Sequence, residues 1–147
     1  MGPLSSLIYV PLLGMAIVMC LPKDNKAAIR WTAVGISIIP MLMSFWLTWD
    51  YFFNHATSAA MAYAEGPFEW IPSLNVQYYL GADGVSIPLL ALTGLLSTLS
   101  LLASFGIENR VKEYFAFFLL LEAGMMGVFV ALDFFLFYVF WEVMLVP

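Results

Sequence analysis

The stretch VSIPLLALTGLLSTLSLLASFGI, residues 85–107, holds no charged side chain in 23 positions. Crossing the ~30 Å hydrocarbon layer of a bilayer takes roughly 20 such residues in a helix. In hydrocarbon a helix satisfies its own backbone hydrogen bonds, so this run reads as a membrane-spanning helix. The rest of the chain has the same character. Of its 147 residues 63% are hydrophobic and 10% charged, with a mean hydropathy of +0.94. A soluble domain is roughly 45–50% apolar with about 25% charged residues. The chain is an integral membrane protein, and the lipid bilayer is part of its solvent.

Outward from that run, further apolar stretches cover residues 4–21, 31–53 (with Asp50 near its end) and 114–132, where Glu122 is the single charge. A fifth begins at residue 134 and reaches only Pro147, too short to span. The expected fold is all-α, with four complete transmembrane helices and a truncated fifth, joined as a single membrane domain over residues 1–147. The N-terminal MGPLSSLIYVPLLGMAIVMCLPK is not read as a secretion signal. Its first basic residue, Lys23, follows the apolar run, and Met19 precedes Cys20 where a lipoprotein signal needs a small residue. It is taken as a retained helix.

Every Lys and Arg lies in two connections: Lys23, Lys26 and Arg30 in the first, Arg110 and Lys112 in the third. The segment 54–84 carries Glu65, Glu69 and Asp83 and no Lys or Arg. The positive-inside rule then makes the basic side cytoplasmic, with the N-terminus and segment 54–84 outside. Within that outer segment Ile71, Leu74, Val76, Tyr78 and Tyr79, with Pro67 and Pro72, predict extended structure or a short hairpin. Its tyrosines and Trp70 suit the headgroup level. Asp83 or Ser86 is placed to cap the helix that follows, with Pro88 tolerated in its first turn.

One cysteine and one histidine are too few for an iron–sulfur cluster, a Cys/His zinc site or an intrachain disulfide. Cys20 is expected to be a buried apolar side chain, and His55 an interfacial residue. The five basic residues form no phosphate-neutralising patch, so no nucleic-acid partner is expected. Ala123, Gly127 and Ala131 recur at four-residue spacing, which lets a neighbouring helix approach closely.

The candidate chemistry lies in two carboxylates. An ionisable residue within a span costs about 2.5–3.5 kcal/mol on insertion scales, and survives where it faces protein or water. Glu142 and Glu122 reach similar depths on consecutive antiparallel helices, so one polar layer could hold both. Desolvation disfavours the charged form of a carboxyl and a nearby cation favours it, and a group between those tendencies can relay protons. Tyr138, four residues before Glu142, offers its nearest hydroxyl. No Lys, Arg or His is expected within the helices, so the cationic partner of a relay must lie elsewhere. The structural alternative for both glutamates is a hydrogen bond to a neighbouring helix for packing alone. Asp50, Asp83 and Asp133 fall near the outer boundary, where carboxylates are solvated or cap helices.

YYLGADGVSIPLLALTGLL followed by GMMGVFVALDFFLFYVFWEVMLVP resembles the antiporter-like membrane subunits of respiratory complex I, closest to the M subunit (chain 4 in mitochondrial and plastid naming). The resemblance implies that the chain is an N-terminal part of a proton-translocating subunit of NADH:quinone oxidoreductase, lacking the later helices of its fold. It implies that Glu142 pairs with a lysine on a later helix. It gives Glu122 no such definite role. NADH, FMN, iron–sulfur clusters and quinone are implied in other subunits, with none in this chain. The implied partners are the other membrane-arm subunits, and the implied location is a bacterial inner (plasma) membrane. A D-type subunit of a multisubunit Na⁺/H⁺ antiporter and a membrane hydrogenase subunit share the glutamate helix and stand as alternatives. A small non-catalytic membrane assembly protein is the alternative of another class.

Overall fold

The fold is described from a computed structural model covering residues 2–55 and 61–147. The His55 side chain, expected at the interface, lies outside the described residues. Four helices are long and apolar enough to cross a membrane: α1 (Pro3–Cys20), α2 (Lys26–Asp50), α3 (Ser86–Ala103) and α4 (Val111–Val130). A shorter α5 (Phe134–Leu145) follows. Between α2 and α3 stand two antiparallel strands, β1 (Tyr63–Ile71) and β2 (Val76–Ala82).

The spans fall where charge-free sequence predicts them, but two begin earlier. α2 starts at Lys26 because the Asn25 side chain accepts the Ala28 N–H at 3.1 Å, a cap that extends the helix toward the loop. α4 starts at Val111. Lys26, Arg30 and Lys112 therefore lie inside helices, contrary to the expectation that the helices hold no basic residue. They still serve the helix ends. Lys26 Nζ donates to the Glu108 carbonyl at 3.1 Å, Arg30 Nη2 to that of Ile107 at 2.7 Å, and Lys112 Nζ to that of Leu21 at 2.8 Å. Those carbonyls follow the C-terminal ends of α3 and α1, the end of a helix dipole that favours cations.

The hairpin pairs Tyr63 with Ala82, Phe68 with Tyr78 and Ile71 with Val76. Its turn closes through Pro72–Leu74 and Asn75, whose φ of 53° is left-handed. β2 is fixed to the α4–α5 connection, where the Leu132 N–H donates to the Tyr79 carbonyl at 2.9 Å and Leu80 bridges Ala131. Asp133 caps α5 by accepting from Phe135 at 2.9 Å and Leu136 at 3.1 Å, and also accepts from Gln77 of β2 at 3.3 Å. Asp83, not Ser86, caps the start of α3, accepting the N–H groups of Ser86 at 2.8 Å and Val85 at 3.1 Å. The Ser86 N–H first, then its hydroxyl, hold the Asp83 carboxyl below its ordinary 3.8.

α4 packs against α1, α2, α3 and α5. Gly124 and Gly127 form its close approach to α5: a Cβ on Gly127 would come within 2.4 Å of the Phe140 ring, and one on Gly124 within 3.1 Å of the Met144 backbone N. Ala131, expected on this face, falls past the helix and joins the bridge to β2. Cys20 is exposed, which overturns the expectation of burial. Val18 is the buried residue of that last turn, and two positions along a helix is about 200° around it.

The core divides into two apolar clusters. One gathers Leu4, Leu47, Leu90, Met126 and Val130 with the hairpin's Leu80. The other gathers Val18, Ile29, Leu101, Phe115 and Leu119 near the basic loops. Ser37, Ser97, Thr98 and Glu122, all buried, lie between them along the chain of each helix. A polar layer thus interrupts the core at the mid-length of α2, α3 and α4.

Candidate functional site: the carboxylates of α4 and α5

Glu122 is fully buried. Its Oε1 accepts the Ser37 hydroxyl of α2 at 2.9 Å. Ser37 Oγ lies 3.1 Å from Thr98 Oγ1 of α3, and Thr98 also reaches the Ser37 carbonyl at 3.3 Å. Among the described residues Glu122 Oε2 has no hydrogen-bond partner, and neither has the buried Ser97 hydroxyl. Leaving a buried polar group unmatched costs about 1–3 kcal/mol, so such atoms call for an explanation. Pro40 adds to the polarity here, because it has no N–H to give the Ile36 carbonyl one turn back in α2.

Glu142 stands differently. Phe140 and Met144 face α4 through Gly127 and Gly124, and Glu142 between them turns to the opposite side of α5, where it is exposed. Tyr138, 53% exposed, lies on that side, and its hydroxyl interacts with the Glu142 carboxylate. α5 therefore brings Tyr138 and Glu142 together, as their spacing predicts. No hydrogen bond or ion pair among the described residues joins Glu122 to Glu142. The two share a level, since Gly124 and Met144 meet, but not a contact. Glu122 is met by the Ser37 hydroxyl of α2, which is met in turn by the Thr98 hydroxyl of α3.

On the other side of the hairpin, the Glu65 carboxylate caps α1. Oε1 accepts the Leu4 N–H at 2.6 Å, and Oε2 accepts the Ser5 N–H at 3.2 Å and the Ser5 hydroxyl at 2.5 Å. Ser5 Oγ also meets the Tyr78 hydroxyl at 3.0 Å, and burial pushes that phenol up to about 12. Asp50, at the end of α2, accepts the Tyr63 hydroxyl of β1, and burial first, then this bond, raises the Tyr63 phenol above its ordinary 10.0.

A family model described as "NADH-ubiquinone oxidoreductase chain 4, amino terminus" matches residues 6–132. The chain belongs to the chain 4 family. The family match runs from within the first turn of α1 through the hairpin and α4 and ends just before α5, whereas the relatives align across nearly the whole chain. A Picosynechococcus protein named NAD(P)H-quinone oxidoreductase chain 4 3 is 32% identical over 98% of this chain and 26% of its own length. The chloroplastic chain 4 proteins of Mesostigma viride and Chara vulgaris are 32% and 33% identical over 98% of this chain, covering 28% and 29% of theirs. The chain spans about a quarter of the length of these chain 4 relatives.

Two parts of this chain 4 site escape the sequence reading. Ser37, Ser97 and Thr98 look like ordinary small residues in apolar helices; their signal is that each sits near mid-span, at the level of Glu122. Glu65 reads as one acid of an outer loop, and nothing local ties it to a helix start 61 residues away. Among the described residues no group of three His, Cys, Asp or Glu side chains is placed to hold a metal ion.

Proposed function

We propose that this chain is the N-terminal part of a membrane subunit of an NAD(P)H:quinone oxidoreductase of the complex I type, coupling electron transfer to proton translocation, with Glu142 as its proton-carrying carboxylate. The observation that carries the reading is the position of Glu142: exposed on α5 beside Tyr138, while the opposite side of the helix packs on α4. A carboxylate facing lipid at that depth is costly, so this face belongs against further protein or water. The resemblance supplies the partner, a lysine on a later helix of the same subunit. The names of the chain 4 relatives supply the electron donor class and quinone.

In this reading the chain does no redox chemistry. NADH, FMN, iron–sulfur clusters and quinone are bound by other subunits, and the neighbours are the other membrane-arm subunits. The membrane is the plasma membrane of a bacterium, with the hairpin and N-terminus outside, in keeping with the gathering of basic residues at the other end. The test is Glu142→Gln in the full-length subunit, assembled into its complex in sealed vesicles. Proton translocation is expected to be lost. Pumping at the wild-type rate overturns the assignment, and sodium-linked transport in place of proton transport favours the antiporter relatives.

A further inference from the structure

The buried layer around Glu122 holds more than packing requires. At this level three helices bring oxygen atoms together: Ser37 from α2, Thr98 from α3 and Glu122 from α4. The hydroxyls form a directed chain. Ser37 gives its proton to Glu122 Oε1, so Thr98 is the donor to Ser37, through its hydroxyl oxygen or its carbonyl. Oε1 is thereby the accepting oxygen. Oε2 has no donor among the described residues and is the oxygen left to carry a proton.

The cations of neighbouring elements stay away. Lys26, Arg30 and Lys112 are engaged with loop carbonyls at the basic end. At the other end Asp50 is tied to Tyr63. α1 offers Tyr9 and Cys20, both exposed, and α5 offers Tyr138 and Glu142, also exposed. Among the described residues none of these is hydrogen-bonded or ion-paired to Glu122.

α3 and its C-cap also carry a line of hydroxyls at helical spacing: Thr93, Ser97, Ser100 and, at the cap, Ser104. Ser104 meets the Tyr114 hydroxyl at 2.9 Å near the basic loops, and Ser97 lies roughly 10 Å up the helix from it. An open groove of about 330 Å³ between α3 and α4 has Thr93, Ser97 and Ser100 along one edge and the apolar Leu96, Phe118 and Leu121, the neighbour of Glu122, as most of its wall. The Ser97 hydroxyl, 2% exposed and unmatched, is a second buried polar group at this level. Buried polar groups without a protein partner are where ordered water binds.

We infer that Glu122, Ser37 and Thr98 form a second proton-binding site at mid-membrane, distinct from the Glu142 face and reached by water along the α3 hydroxyl line. A hydronium ion arriving along that line gives its proton to Glu122 Oε2 and leaves as water, and the reverse step returns it. Ser37 and Thr98 position the carboxyl by fixing Oε1. The site stands whether or not Glu142 carries protons.

The test is infrared difference spectroscopy of the complete, reconstituted complex between acid and alkaline pH. The wild type is expected to show a carboxylic-acid carbonyl band that is lost in Glu122→Gln and kept in Glu142→Gln. The band should shift in heavy water within the mixing time, and should move in frequency in Ser37→Ala and Thr98→Val. Superimposable wild-type and Glu122→Gln spectra overturn the proposal, as does a band that does not exchange in heavy water. Ser37→Ala retains the acid, so an unmoved band in that variant overturns the site even if Glu122→Gln fails to assemble. Failure of the Glu142→Gln pumping test leaves these bands untouched and counts only against the role of Glu142.

Discussion

The carboxylate of Glu65 accepts the backbone N–H of Leu4 at 2.6 Å, tying the hairpin to the first turn of α1. α1 has no side-chain cap of its own at Gly2, so a residue from another element takes that role. Caps contribute about 0.5–2 kcal/mol, and a negative charge at a helix start adds dipole stabilisation. Glu65→Ala in the full-length subunit is expected to raise amide exchange at Leu4 and Ser5 by about fivefold or more, corresponding to roughly 1 kcal/mol. Unchanged exchange there would show that solvent caps the helix equally well.

Asp83 gives a pH dependence with a definite sign. Its folded-state pKa lies below the ordinary 3.8 because its carboxylate accepts backbone and side-chain hydrogen bonds from Ser86. Its stabilisation of α3 is therefore complete above that ordinary value and is lost as pH falls through the folded one. Asn caps about as well as Asp, so Asp83→Asn should keep the helix start and flatten its acid sensitivity, while Asp83→Ala should cost about 1 kcal/mol at neutral pH. Amide exchange at Val85 and Ser86 against pH reads both effects.

The contact of Gly127 with Phe140 has no room for a side chain. Overpacking of this kind costs about 1–3 kcal/mol. Gly127→Val is expected to push α5 away from α4 and to weaken a disulfide engineered between cysteines at Gly124 and Met144. An undiminished cross-link yield would mean that Phe140 simply swings aside.

Orientation is open to direct labelling. With the proposed topology, Lys23→Cys reacts with a membrane-impermeant thiol reagent only in inside-out vesicles, and Glu69→Cys only in right-side-out ones, with Cys20 replaced by Ala in both. The opposite pattern would invert the chain.

The spans were legible because hydrocarbon imposes a length and forbids charge, and both constraints act along the chain. The nearness of Tyr138 to Glu142 was legible too, since one helix turn joins them. The helix starts were not. Asn25 looks like a loop residue until its side chain is seen to hold the Ala28 N–H. The partners of Glu122 were hidden because they depend on the relative rotation of three helices, which apolar sequence leaves undetermined. Cys20 was misread because in a bilayer an apolar side chain has two favourable surroundings, the core and the outside of the bundle.

The hairpin follows α2 in the chain, yet its bonds reach both backward and forward: Glu65 to α1, Tyr79 and Gln77 to residues just beyond α4. During synthesis β2 emerges before Leu132 and Asp133 exist, and its outer edge then has nothing to pair with. The edge is closed only when the chain has turned back for α5. The helix that presents Glu142 is therefore docked by a receptor built beforehand, and a ribosome pausing between α3 and α4 leaves that receptor open to other strands.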